Sequence, residues 1–352
     1  MPATVAPRVG TVAVTGAAAG LGRALVERLA RAEDLDALIG VDTAGVRVDG
    51  VVWRTADVRD PVLADRLSGV GTVVHLATSF DVWQDAPARR ALNVRGTALL
   101  LAAARSAGVR RVVLVTSADV YGARPGNPLP LPESAAPRAA VDASLTGEHA
   151  EIEALAAPLL GPARSGLEVT VLRPATLVGA QLGPGYDGAR LQLLSAPRLV
   201  ALRGTEPLWQ LCHADDLLTA LELAVRGLVR GPVAVACDGW LAQRDVEAAA
   251  GRRRLELPPG IALGTAERLH RLGRSGSPAQ ELAHLTAPLV VATDALRDAG
   301  WSPAWTNEAA LRAYLAGRAS DTRAGTYTAA GATVALVGTA ALVRRARRRR
   351  GR

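Results

Sequence analysis

The chain predicts a doubly wound α/β protein, a Rossmann-type parallel sheet with a smaller C-terminal lobe, and three features of its 352 residues carry that prediction. Short runs rich in valine, leucine and isoleucine alternate with stretches whose apolar residues recur at helical spacing. The short runs are apolar nearly throughout, as strands are when helices cover both faces of a parallel sheet. A glycine-rich turn, "TGAAAGLG" from Thr15, joins the first run to the first helical stretch.

In chain order, "RVGTVAVTG" reads as the first strand, "LGRALVERLARA" as the first helix and "DALIGVD" as the second strand. Further strands are expected at "GVVWRTAD", "GTVVHLAT", "RRVVLVTS" and "LEVTVLRP". The stretch "APARRALNVRGTALLLAAARSAG" reads as a helix closed by Gly108, since a helix end favours a residue free to turn left-handed. These elements assign residues 1–174 to the sheet domain, with 211–238 returning to it. Residues 175–210 and 239–318 are left for a substrate lobe, and 319–352 for a tail. In such sheets ligands sit at the carboxyl ends of the strands.

Composition narrows the setting. At 49% hydrophobic residues the chain can bury a large core. Cys212 and Cys237 each lie in an apolar run and are too few for a disulfide framework or a metal cluster, so no metal is expected and a reducing cytoplasm is the simpler home. The amino terminus lacks the charged start and apolar stretch of a secretory signal. The net charge of +8 is concentrated, because "RRARRRRGR" at residues 344–352 holds seven arginines and the rest is nearly neutral. That distribution argues against nucleic acid as a partner. The chain has no lysine, so no lysine chemistry is open to it.

The glycine turn is the most informative stretch. Gly16, Gly20, Leu21 and Gly22 lie between strand and helix, where missing side chains let the backbone approach a pyrophosphate at the positive helix end. Asp42 closes the next strand. A carboxylate there accepts hydrogen bonds from the adenosine ribose and repels a 2′-phosphate, which favours NAD over NADP.

The chain resembles the short-chain dehydrogenase/reductases, and among them the extended, NAD-dependent epimerase/dehydratase type, over about residues 9–315. The resemblance rests on "TGAAAGLG", on "ADVRD" with Asp57 and Val58, and on "HLAT" with His75, Leu76 and Ala77. It continues through "NVRGT" from Asn93, "VTSADVYG" with Ser117 and Tyr121, "LRPATLVG" with Arg173, "CHADDLL" and "GWSPAW". It implies that Asp57, Val58, Leu76, Ala77 and Asn93 lie along the dinucleotide, and that the chain pairs as a homodimer. It departs at Ala19, where the extended type usually has glycine.

The family couples a serine or threonine with a tyrosine and, four residues later, a lysine, which lowers the phenol's pKa for proton exchange during hydride transfer. Ser117 matches the serine, but "DASLTGEHAEIE" at residues 142–153 holds neither partner. Aligned through Glu153, the two positions are Leu145 and His149; aligned through Glu151, they are Ala143 and Gly147. In the first register His149 is a substitute donor able to titrate near neutrality, against the plainer expectation of a solvated helix residue beside Glu148 and Glu151.

Other polar positions divide similarly. His75 is expected to pack. Asn93 is expected to be mainly structural. Arg173 meets either a substrate anion or another loop, and Tyr186, Arg190 and Arg203 are the scattered polar candidates of the apolar lobe. His213, Asp215 and Asp216 are read as a helix start capped by an aspartate rather than a metal trio. Residues 326–343 carry no charge and precede the arginines, so 326–352 is either a segment held at an anionic inner membrane surface or a loosely docked tail. Two functions remain: an NAD-dependent oxidoreductase acting on a small hydroxyl, carbonyl or sugar-type substrate, and a non-catalytic NAD-binding sensor or scaffold.

Overall fold

The computed structural model describes residues 8–323, except 83, 161–165, 183–188, 195–197, 273–281 and 283. The expected strands form as β1 (Gly10–Thr15), β2 (Leu35–Asp42), β3 (Val51–Thr55), β4 (Thr72–His75), β5 (Arg111–Val115) and β6 (Glu168–Pro174). The short strands β7 (Thr176–Val178), β8 (Leu199–Leu202), β9 (Leu208–Trp209) and β10 (Leu211–His213) follow, then β11 (Gly231–Val235), β12 (Leu241–Ala242) and β13 (Arg254–Leu257). The large sheet has the order β11-β6-β5-β4-β1-β2-β3, and every pairing in it is parallel. The chain reverses its winding between β1 and β4, which opens a crevice at their carboxyl ends.

Helices cover both faces, as the uninterrupted apolar strands require. Val12 and Val14 point to one side and Ala13 to the other, so neighbouring residues of β1 serve two cores. The first core is closed by α1 (Gly20–Leu29), whose Leu25 and Val26 are fully buried. On the second side lie α2 (Leu63–Arg66) and a long helix built of α3 (Ala86–Arg90), one wide π turn at Ala91–Arg95, and α4 (Gly96–Ser106). The next helix is α5 (Leu145–Ala156), with Ser144 accepting a hydrogen bond from the Gly147 amide at its N-cap. After α6 (Ala189–Leu194) comes α7 (Ala214–Arg226), which joins α1 on the first face and ends on left-handed Gly227.

The remaining helices are α8 (Gln243–Ala250), α9 (Pro259–Arg271), α10 (Asp294–Asp298) and α11 (Asn307–Arg323). Away from the large sheet, β7–β10, β8–β13 and β9–β12 pair as two-stranded sheets, and α11 joins their core through Ala310 and Leu311. Leu296 and Trp301 fall within the stretch assigned to the lobe but pack into the core around α1 and α7, because the Trp301 indole donates to Thr219 on α7. No helix among the described residues is long and apolar enough to cross a membrane, and residues 326–352 lie outside the described residues.

Candidate active site

The cradle at the end of β1 depends on absent side chains. A Cβ on Gly22 would lie 2.0 Å from the Gly16 carbonyl oxygen, and one on Gly16 would lie 2.6 Å from the Leu76 backbone and 2.7 Å from the Ala77 nitrogen. Gly20 has a positive φ of 55° as α1 begins. Ala19 provides no side-chain cap and the first turn of α1 holds no acid, so the positive helix end faces the crevice. Asp42 secures the loop by accepting from the Ala18 amide at 2.9 Å and the Thr43 amide at 2.7 Å. A backbone cradle, an uncapped helix end and a carboxylate one strand away fit a dinucleotide such as NAD.

Neighbouring positions share the supporting work. Asp57 is held by Arg59 through two side-chain contacts, which keep its carboxyl down at about 2. Val58 is buried where a Cβ on Gly96 would touch it. His75 hydrogen-bonds Thr15 at 2.7 Å and Thr97 at 3.2 Å, and burial pushes it down to about 4, so it is a neutral packing residue as expected. Asn93, on the π turn, accepts from the Ser79 amide and donates to the Ser79 carbonyl and to Glu148, each at 2.8 Å. Those bonds occupy its amide, so Asn93 fixes the loop after β4.

The loop runs on to Phe80, which lines an open pocket. Ser117 and His149 line the same pocket, with Leu145, Thr146, Arg190 and His284. Ser117 follows β5 and its hydroxyl accepts from the Asp119 amide at 3.1 Å. The residues of α5 lining this space are Leu145, Thr146 and His149, whereas Gly147 is turned against Asp142, where a Cβ would meet its carboxylate at 2.3 Å. The register through Glu153 is therefore the one α5 presents to the pocket.

The expectation of a solvated His149 is overturned: the residue is 3% exposed, its ring lies 5.1 Å from that of Phe80, and its buried Nδ1 has no hydrogen-bond partner among the described residues. Burial, reinforced by the positive charge of Arg89, pushes His149 down to about 3. It is a neutral imidazole at physiological pH and cannot replace a lysine as a cation. Its neighbours are buried by ion pairing rather than by apolarity. Glu148 pairs with Arg89 at 3.0 Å and Glu153 accepts from Thr116 at 2.8 Å.

Of the two partners expected for Arg173, the structure shows one within the protein, on α5 rather than on a loop. Its guanidinium is buried on Glu153, with Nε donating at 2.9 Å and Nη2 also engaged, and it lies over the Tyr121 ring at 4.7 Å. It ties β6 to α5, so the strand-end arginine is no free anion receptor. The Tyr121 hydroxyl is spent on the Glu133 carbonyl. Tyr186 lies outside the described residues. At α7 the cap is His213, whose Nδ1 accepts from the Asp215 amide at 3.2 Å, and not an aspartate. Asp216 instead accepts from the Ala304 and Trp305 amides, and the His213 ring is stacked on Trp305 at 3.7 Å. No group among the described residues has the side chains to hold a metal ion.

The pattern of the NAD dependent epimerase/dehydratase family matches residues 12–235. The chain belongs to that family. NAD is accordingly its cofactor, and the cradle described above is the part of the chain that fits it. An uncharacterized protein of Mycobacterium tuberculosis is 31% identical over 87% of this chain and 84% of its own length. A 3-diazoavenalumate denitrifying reductase of Streptomyces is 34% identical over 64% of this chain and 76% of its own. Among solved structures, MoeE5 in complex with UDP-glucuronic acid and NAD superposes with a TM-score of 0.65 at 22% identity, covering 88% of this chain and 100% of that one. The dTDP-glucose 4,6-dehydratase DesIV of Streptomyces venezuelae, with NAD and TYD bound, gives 0.64 at 20%, covering 89% and 98%. At these identities the likeness is one of architecture.

Sequence reasoning singled out Ser117 and His149 but missed Leu145 and His284 as pocket walls and left Arg190 as one of several scattered arginines. The helical spacing of Leu145 and His149 was a usable signal for the first. His284 and Arg190 approach from distant segments, for which one sequence offers no signal.

Proposed function

We propose that the chain is an NAD-dependent oxidoreductase that exchanges hydride with a small hydroxyl, carbonyl or sugar-type substrate held in the Ser117/His149 pocket. The observation that carries this reading is that both side chains line one pocket, reached from the glycine cradle by the loop from Leu76 to Phe80. Bound NAD supplies the hydride acceptor or donor. Asp42 is assigned to the adenosine ribose, Asp57, Val58, Leu76 and Ala77 to the walls along the dinucleotide, and Ser117 to orienting the reacting oxygen.

Oxidising a hydroxyl moves a hydride from carbon and a proton from oxygen, so a base must receive the proton. His149 is in the right protonation state but, at about 3, accepts weakly. A phenol near its working pKa is worth roughly 10² to 10⁴ in such a step, and Leu145 has none to offer. Alcohol oxidation is expected to be slow, and reduction of an electrophile that demands little proton transfer to be faster. The Streptomyces relative's name, a reductase, supports that direction. The test is a panel of hydroxyl, carbonyl and nucleotide-sugar compounds incubated with NAD or with NADH deuterated at nicotinamide C4. Deuterium in a product, lost with His149→Ala, supports the reading; no transfer to any compound despite tight NAD binding favours the sensor or scaffold, the reading that Leu145 in place of a phenol also suits.

A further inference from the structure

Three arginines are almost fully buried near the carboxyl edge of the sheet, and they are not satisfied alike. Arg89 has Glu148, itself inaccessible to solvent, and Arg173 has a paired carboxylate in Glu153, 6% exposed, although its buried Nη1 has no hydrogen-bond partner among the described residues. Arg190 has no such paired carboxylate among the described residues. Its side chain is 8% exposed, yet the nearest described acid is Asp119 at 3.9 Å, beyond hydrogen-bond length, on a side chain 52% exposed. One nitrogen, Nη1, donates to Thr176 at 2.9 Å, while buried Nη2 has no hydrogen-bond partner among the described residues. A guanidinium carries five donors in a rigid fork suited to a carboxylate, and a buried charge without a close counter-ion is costly to keep. The Arg190 guanidinium carbon lies over the Trp209 ring, 5.9 Å from its centroid.

Arg190 and Asp119 line the same pocket as Ser117 and His149. Arg190 is the one arginine among the described lining residues, and the walls around it mix polar Thr116, Thr146 and Thr176 with apolar Phe80, Leu145 and Leu177. One buried guanidinium with a single unpartnered nitrogen matches one negative charge, and its planar fork suits a carboxylate. We infer that the substrate of this pocket carries a carboxylate, which pairs with the Arg190 fork in place of the loosely held Asp119. The inference rests on the reading of this pocket as the substrate site. Burial pulls the Arg190 pKa down and only Asp119 opposes it, as expected of a cation awaiting a closer anion.

The probes are cinnamate, its neutral analogue cinnamamide, and phenyl phosphate, each titrated by calorimetry into the NAD-loaded full-length protein. Charge-assisted hydrogen bonds of about 1.5–3 kcal/mol correspond to roughly ten-fold or more in affinity, so cinnamate should exceed cinnamamide by at least about that factor. Arg190→Gln should erase the difference while leaving cinnamamide and NAD affinities unchanged, the latter serving as the check on folding. Asp119→Asn, which alters an exposed side chain, should tighten cinnamate severalfold by removing its competitor. No cinnamate binding, equal binding of acid and amide, an Asp119→Asn variant that binds cinnamate more weakly, or Arg190-dependent preference for phenyl phosphate overturns the inference. Arg190-dependent cinnamate binding without deuteride transfer to any compound sinks the oxidoreductase reading instead. Deuteride transfer to neutral substrates with no cinnamate binding leaves that reading and removes this one.

Discussion

The two ends of the crevice are built on opposite principles. At the β1–α1 end the site is backbone: Gly16 and Gly22 work by having no Cβ, and the helix end works by being uncapped. At the α5 end the site is side chains held by buried ion pairs, with Glu148 on Arg89 and Glu153 on Arg173 turning His149 inward. A backbone site leaves its requirement in one contiguous stretch of sequence. A site held by ion pairs distributes its requirement over partners as far apart as Arg89 and Glu148, and its polar residues look like a solvated face until the partners are found.

The sharpest way to break the α5 end is Glu153→Ala. Removing one member of a buried pair leaves Arg173 unpaired and costs about 3–5 kcal/mol, read as a fall in the urea midpoint; an unchanged midpoint would show that α5 is not held as described. The matching break at the cradle is Gly22→Ala, whose new Cβ must displace the Gly16 carbonyl 2.0 Å away. NAD affinity should fall roughly a hundred-fold, about 3 kcal/mol, with far less effect on the urea midpoint than Glu153→Ala.

A third test uses pH. His149 and His75, at about 3 and about 4, bind fewer protons folded than unfolded below the usual histidine pKa of 6.5. Stability is therefore full above about 6.5 and falls as pH drops toward the folded values, by about 2 kcal/mol per histidine at pH ~5. Replacing His149 with Gln should flatten its share of that slope, and an unaltered slope would mean the imidazole is solvated. The smallest effect is expected from Asp42→Ala, which should narrow the preference for NAD over NADP by roughly ten-fold in calorimetry, about 1.4 kcal/mol. Equal affinities in the unaltered protein would remove the role given to Asp42.

The same contrast explains what was legible. All six strands from Gly10 to Pro174 stand where β-branched and apolar runs put them; the inner ones are buried on both faces, which leaves a continuous signature, and the half-exposed edge strand β3 keeps its β-branched run. The cradle was legible for its glycines. The wide turn at Ala91–Arg95 was not, since nothing in a helical pattern marks one extra residue per turn. His149 was found by position and misjudged in state, because Glu148 and Glu151 beside it suggested water. Glu148 is wholly buried, and Glu151 pairs with Arg90. Arg173 was visible as a strand-end arginine, yet its partner Glu153 lies twenty residues earlier, on another element.

The central claim is that the backbone cradle and the pocket of α5 form one crevice, with the nicotinamide delivered to Ser117 and neutral His149. A crystal structure of the chain with NAD bound tests it most directly, through the distance from the nearest His149 ring nitrogen to the nicotinamide ribose hydroxyls. The account predicts hydrogen-bond reach, about 2.6–3.2 Å, with Asp42 on the adenosine ribose at the other end. A nicotinamide lying outside the pocket, with His149 well beyond that reach and still packed on Phe80, would contradict it.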